Sequence, residues 1–166
     1  MYVFSERHKI VNAIIPVADA WDASPAVSDI VHLENYKKCT FLIVTGATSA
    51  VVPVVTVLAG VSNAVCATPI VFKYRTQAAA AVPGVGSDVP TALTDAAVGG
   101  FSMLGNITGG ISIVEVDAAV VAAAGANFDH CALNIAENAD TAQTGCVIAI
   151  LSEPRYPQNI LATAID

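Results

Sequence analysis

The segment that decides the fold is CTFLIVTGATSAVVPVVTVLAGVSNAVCATPIVF, residues 39–72, which contains no charged side chain. It is longer than the roughly 20 apolar residues that a membrane-spanning helix needs. Pro53 and Pro69 interrupt it, however, and its many β-branched residues favour strands over a helix. We therefore expect β-strands in this segment and no membrane span.

Three runs in this part of the chain predict strands. Thr40–Thr45 and Val51–Leu58 are β-branched runs separated by the turn residues 46–50, a pattern that predicts a hairpin between them. The run Ile70–Thr76 alternates in a way that indicates a strand with one solvated face. We assign Ile70, Phe72 and Tyr74 to one face and Val71, Lys73 and Arg75 to the other.

The rest of the chain predicts further strands, one helix and one long loop. Asp117 is placed to cap a short helix over Ala118–Ala124, which Gly125 ends. Residues 77–95 are rich in alanine, proline and glycine and predict a loop longer than most connections. The further strand candidates are a short one at Phe101–Met103, then Ile111–Val116, His130–Ile135 and Cys146–Leu151.

Strands at this spacing predict an all-β fold, an antiparallel β-sandwich or jelly-roll-like barrel with one short helix and an extended N-terminal arm. The arm comprises residues 1–26, and residues 27–166 form a single β domain. Because the arm has apolar residues but little periodicity, we expect it to be buried on a neighbouring molecule. The alternative is an ordinary first strand packed on the chain's own core, with Trp21 as a core residue. The candidate partner contacts are Phe4, Ile14, Ile15 and Trp21.

The composition excludes some function classes. The chain has 166 residues, of which 13% are charged, and its net charge is −7 with only seven Lys and Arg side chains. This acidic balance argues against a nucleic-acid partner. The four cysteines form no C-x-x-C pair, and three lie in apolar runs, so we interpret them as reduced packing residues. Low charge and high apolar content predict a homo-oligomer.

Two short motifs carry chemically active side chains, and for both we favour a structural role. The sequence HLE at residues 32–34 matches the H-x-E half of a zinc deaminase motif, but the cysteine half is missing. The sequence DHC at residues 129–131 places a nucleophile beside a base, but adjacent strand residues point to opposite faces. We therefore expect no catalytic residue, no metal site and no cofactor, and predict that the protein is not an enzyme.

Five segments that match strands stand in a familiar order. They are D-I-V-x-L-x-N-Y (29–36), T-F-L-I-V-T-G-A (40–47), P-I-V-F-K-Y-R (69–75), I-V-E-V-D-A (113–118) and L-S-E-P-R-Y (151–156). In this order and spacing, the chain resembles a family of small structural proteins of tailed bacteriophages and prophages that are commonly encoded near head genes. The resemblance covers residues 27–156 and includes no catalytic signature.

The resemblance implies a multi-copy virion component without enzymatic activity, assembled in the cytoplasm of the host bacterium. A capsid decoration (cement) protein is the role we favour, with the major capsid protein or other virion proteins as partners. For this role we favour a homotrimer, because threefold positions are natural binding sites on a shell lattice. A neck, tail or minor head protein is the first alternative. A carbohydrate-binding or adhesin-like module is the second, and it would expose aromatic side chains in a groove.

Overall fold

The computed structural model describes residues 3–21, 25–78, 89–137, 141–156 and 161–165. Within these ranges the chain forms strands, one α-helix and a short 3-10 helix at Phe4–Glu6. In chain order the elements are β1 (Lys9–Val17), β2 (Ala26–Val27), β3 (Val31–His32), β4 (Tyr36–Ala47), β5 (Val54–Ser62), β6 (Val65–Ile70), β7 (Phe72–Ala78), β8 (Thr94–Ala96), β9 (Phe101–Ser102), β10 (Thr108–Asp117), α1 (Ala118–Ala124), β11 (His130–Ala136) and β12 (Gly145–Pro154).

The strands form two antiparallel sheets, which confirms the predicted all-β sandwich. Sheet A has the order β1-β12-β4-β10-β7-β8. Sheet B has the order β2-β11-β5-β6, with β3 also paired to β11 and β9 to β5. Over the described residues the two sheets do not close into a barrel, so the barrel alternative is wrong.

The core lies between the sheets and is filled from alternate positions of each strand. The buried residues of β4 include Cys39, Phe41 and Ile43, and those of β5 include Val55 and Val57. Successive side chains of a strand point to opposite faces, so each sheet shows one face to the core and one to its surroundings. The core-facing residues of the other central strands are Val114 and Val116 on β10, Cys131, Leu133 and Ile135 on β11, and Val147, Ala149 and Leu151 on β12.

The predicted hairpin between Thr40–Thr45 and Val51–Leu58 is wrong. The first run lies in β4 and pairs with β10 and β12 in sheet A, whereas the second lies in β5 and pairs with β11, β6 and β9 in sheet B. The chain therefore crosses between the sheets after β4. The apolar pattern shows that each run has a core-facing side, but it does not specify which strand lies alongside.

The predicted strand character of residues 39–72 and the predicted helix are confirmed. Residues 39–72 are occupied mainly by β4, β5 and β6. No helix among the described residues is long and apolar enough to cross a membrane. The single strand predicted for Ile70–Thr76 is wrong at its start, because Ile70 ends β6 in sheet B and Phe72 begins β7 in sheet A. The alternation still matches the burial, since Ile70 and Phe72 are buried and Val71 and Lys73 are exposed. Asp117 caps α1 by accepting a hydrogen bond from the Ala119 backbone N–H at 2.8 Å.

The N-terminal arm predicted for residues 1–26 is wrong over most of its described length. Lys9–Val17 is β1, which pairs with β12 at the edge of the chain's own sheet A, and Ala26–Val27 pairs with β11. Val11 and Ala13 are buried in the core. Edge strand β1 covers the backbone groups of β12 that would otherwise be unpaired, so this segment stabilises its own domain.

Trp21 is also part of this domain and not a surface anchor. Its side chain is fully buried, and a Cβ on Gly145 would collide with its ring. The neighbouring backbone is fixed by a hydrogen bond of 2.9 Å from Ala20 N–H to the carbonyl of Gln143, whose side chain is itself buried. Residues 22–24, 79–88 and 138–140 lie outside the described residues, so much of the predicted 77–95 loop is not described.

Candidate functional site

The outward face of sheet A is apolar at its centre. On β4, Leu42 and Val44 alternate with the buried Phe41 and Ile43, and therefore point away from the core. Val44 is 38% exposed. Solvated sheet faces usually carry polar side chains at these positions. This face is therefore a candidate binding surface.

Strand register extends this apolar surface across neighbouring strands. Leu42 lies opposite Ile113 of β10 and Ile148 of β12, and Ile150 of β12 lies opposite Ile10 of β1. Ile10 is 54% exposed although it lies beside other isoleucines. We call this surface the apolar face; it consists of Ile10, Leu42, Val44, Ile111, Ile113, Cys146, Ile148 and Ile150.

The apolar face ends at β7, where the outward residues are polar. Lys73, Arg75 and Gln77 lie opposite Glu115, Ile113 and Ile111 of β10, respectively. Lys73 also forms an exposed ion pair with Asp95 of β8. An exposed apolar patch rimmed by polar residues is typical of a protein interaction site.

A cleft of about 750 Å³ adjoins this surface where β4, β7, β8 and β10 end near α1. Its lining includes Thr40 and Glu115, which lie opposite each other in the row next to Leu42. Lys38, at the same end of β4, forms an ion pair of 2.9 Å with Glu153, and this contact raises the pKa of the lysine. The cleft therefore adds polar contacts beside the apolar face.

The four predicted partner contacts have different surroundings. Phe4 is 49% exposed and stacks on His8, and Ile15 on β1 is 61% exposed. Ile14 is half-buried and packs against the core, and Trp21 is fully buried. Phe4 and Ile15 are therefore the two exposed members of this set: Phe4 lies in the 3-10 helix before β1, and Ile15 lies near the end of β1.

A second site joins the two motifs that the sequence shows separately. Strand β3 pairs with β11 so that His32 lies opposite His130. The two imidazole rings stack with their centroids 4.2 Å apart and their planes 8° apart. Asp129 accepts hydrogen bonds from both rings, at 3.1 Å from His32 Nε2 and 2.5 Å from His130 Nδ1. We call these three residues the His-Asp-His cluster.

The cluster is open to solvent on one side. The side chains of His32 and His130 are 16% and 8% exposed, whereas that of Asp129 is 42% exposed. Partial burial raises the pKa of the Asp129 carboxyl group, but the hydrogen bonds from the two histidines outweigh it and leave the pKa below its usual value. Asp129 is therefore an ionised group held at the mouth of the cluster.

Cys131 does not belong to this cluster, as the sequence analysis predicts. It lies on the opposite face of β11 and is fully buried in the core. Its hydrogen bond with Cys39, together with burial, holds the pKa of the Cys131 thiol well above its usual value. A thiol in this state is a poor nucleophile, because the thiolate is the reactive form.

Sequence reasoning missed the apolar face, for which the only signal is the apolar residues at every second, outward position of the strands. It found the HLE and DHC motifs of the second site but did not bring them together, because they lie far apart in the sequence. Comparison of this chain with protein-family models, with curated proteins and with solved structures gives no match. The candidate functions therefore depend on the geometry described above and on the resemblance of the five strand segments.

Proposed function

We propose that this protein is a structural component of a tailed-bacteriophage virion, and specifically a capsid decoration protein that binds and stabilises the lattice of the major capsid protein. The observation that carries the proposal is the apolar face of sheet A. The resemblance of the five strand segments to structural proteins of tailed bacteriophages is the reason for proposing a virion as the particle and the major capsid protein as the partner. The proposed role is structural and not enzymatic.

The size of sheet A suits a stable protein interface. Six strands about 4.8 Å apart, with about eight residues each at about 3.3 Å per residue, give a footprint of about 750 Å². A standard interface buries about 800 Å² on each partner and has an apolar centre with a polar rim. The apolar face would form that centre, and Lys73, Arg75 and Gln77 would form part of the rim.

The shell protein is the partner we propose for this face. If two copies of the chain packed through this one face, the contact would be isologous and would close at a dimer. A decoration protein must instead bind a repeated shell subunit and leave its other surfaces for neighbouring copies. A trimer needs a contact between two different patches of the chain. The exposed Phe4 and Ile15, which are not part of the apolar face, are candidate residues for such a contact.

The test is binding to purified expanded shells of the parent phage that lack this protein. The double variant Leu42→Glu and Ile148→Glu places charges on the apolar face, and Val61→Glu is the matched control because Val61 is 49% exposed on β5 of sheet B. We expect wild type and Val61→Glu to sediment with shells, and the double variant to remain in the supernatant. Circular dichroism of each variant checks that it is folded.

Three outcomes would contradict the proposal. A folded double variant that still sediments with shells would exclude the apolar face as the contact. A wild-type protein that never binds shells, together with only a few copies per particle by mass spectrometry, would favour the neck or tail alternative. A wild-type dimer in solution that the double variant abolishes would assign the face to self-association.

A further inference from the structure

We propose that the His-Asp-His cluster, with Glu34 as a fourth ligand, binds a divalent transition-metal ion of the zinc class. This inference does not depend on the proposed function. Its basis is the position of the donor atoms: one donor atom from each of His32, Asp129 and His130 lies within 4.8 Å of the others. The Glu34 carboxylate lies 3.8 Å from His32 Nε2.

The donor atoms need only small movements to reach a metal geometry. Zinc binds imidazole nitrogen and carboxylate oxygen at about 2.0–2.2 Å, so neighbouring ligands of a tetrahedral site lie about 3.4 Å apart. The His32 Nε2 to Asp129 Oδ2 distance is already 3.1 Å. A modest rotation of the two imidazole rings and of the solvent-exposed carboxylates would direct the four donor atoms at one metal ion. The metal ion would then take the place of the two protons that the histidine rings now donate to Asp129.

The backbone holds the cluster in place. His32 and His130 are fixed opposite each other by the pairing of β3 with β11. Leu33 N–H donates to the carbonyl of Asp129 at 2.7 Å, and Asp129 N–H donates to the carbonyl of Gly60 at 3.3 Å. These bonds position the ligands before any metal arrives, which lowers the ordering cost of binding.

The chemistry of the donors selects the class of metal. Imidazole nitrogen suits zinc, cobalt and nickel, whereas magnesium and calcium prefer sites made of oxygen alone. The two carboxylates balance the charge of a divalent ion, and a metal can enter from solvent because the side chains of Asp129 and Glu34 are 42% and 68% exposed. Ligands from β3 and from the start of β11 would then be linked by one ion.

The test is titration of the full chain with Zn²⁺ by calorimetry and with Co²⁺ by visible absorption. We expect one ion per chain and a tetrahedral Co²⁺ spectrum without the near-ultraviolet band of a cobalt-thiolate bond, since the cluster contains no cysteine. His32→Ala should weaken binding by about tenfold or more. His8→Ala is the matched control and should leave the affinity unchanged, because His8 is the remaining histidine of the chain and lies in the N-terminal segment.

A second variant keeps the test decisive if His32→Ala does not fold. Glu34→Gln changes an exposed side chain and should weaken metal binding without affecting the fold. The proposal is overturned if wild-type protein binds neither Zn²⁺ nor Co²⁺ at metal concentrations up to about 1 mM, which corresponds to very weak binding. It is equally overturned if binding is unchanged in both variants, or if the Co²⁺ spectrum shows thiolate ligation. In those cases the cluster is a hydrogen-bonded group only.

Discussion

Replacement of Trp21 by alanine tests whether the N-terminal segment belongs to the domain or to a partner interface. The side chain is fully buried within its own chain, beside Gly145 and the buried Gln143. Truncation of a buried tryptophan to alanine costs about 3–5 kcal/mol of unfolding free energy. For a protein of this length, each kcal/mol lowers Tm by about 2–4 °C, so we expect Trp21→Ala to melt about 6–20 °C below wild type.

Two further variants, Trp21→Phe and Ile15→Ala, test whether the loss of stability comes from the buried Trp21 ring or from any substitution in the N-terminal segment. Within the described part of the chain, the Trp21 indole N–H has no hydrogen-bond partner, so Trp21→Phe loses mainly ring volume. We expect Trp21→Phe to cost about 1–2 kcal/mol. Ile15→Ala is the surface control: Ile15 is 61% exposed on β1, and its truncation should change stability by less than about 0.5 kcal/mol.

The assay is thermal and urea unfolding of the isolated protein followed by circular dichroism. Fluorescence is unsuitable because Trp21 is the single tryptophan of the chain. If Trp21→Ala melts within about 1 °C of wild type and yet is lost from purified particles, the reasoning from burial is refuted, because a side chain whose removal costs no stability is not part of the core. Trp21 would then be a partner anchor.

Three further predictions concern the N-terminal strand, the cysteine thiols and the oligomeric state. Deletion of residues 1–8 should leave a folded protein. Deletion of residues 1–17 should yield insoluble or unfolded protein, because it removes β1 and exposes the edge of β12. A 1–17 deletion variant that is soluble, and folded by circular dichroism, would contradict this. Burial raises the pKa of the Cys66 thiol to about 12, so about one Cys66 thiol in ten thousand is ionised at pH 8. At that pH, mass spectrometry should find Cys66 unmodified by iodoacetamide, whereas Cys146 on the apolar face reacts. The rate of Cys66 alkylation should rise about tenfold per pH unit. Sedimentation velocity at micromolar concentration should show a trimer, and a monomer alone would count against self-association in solution.

Local signals in the sequence predict local structure well. The Asp117 cap, the Ala118–Ala124 helix and its end at Gly125 depend on residues only a few positions apart, and all three are as predicted. The alternation in Ile70–Thr76 likewise fixes which side chains face the core. The prediction of two antiparallel sheets follows from many such segments taken together.

Features that depend on distant pairing could not be predicted in the same way. The β-branched patterns of β4 and β5 are compatible with pairing to each other or to other strands, and the structure places them in different sheets. The His-Asp-His cluster exists only because β3 pairs with β11, so the sequence separates His32 from the other two residues. The burial of Trp21 depends equally on Gly145, which is far along the chain.

The position of β12 has a consequence for how this protein is made. Among the described strands, β12 comes latest along the chain, and it lies between β1 and β4, where Thr45 of β4 pairs with Gly145 at the start of β12. During synthesis, β1 and the TFLIVT run of β4 must therefore wait until β12 has left the ribosome before sheet A can close around them. Non-local pairing of this kind folds slowly and leaves apolar strands open to aggregation meanwhile. We expect chains released before Gly145 to be captured by chaperones or degraded, so that only nascent chains that include β12 yield native protein.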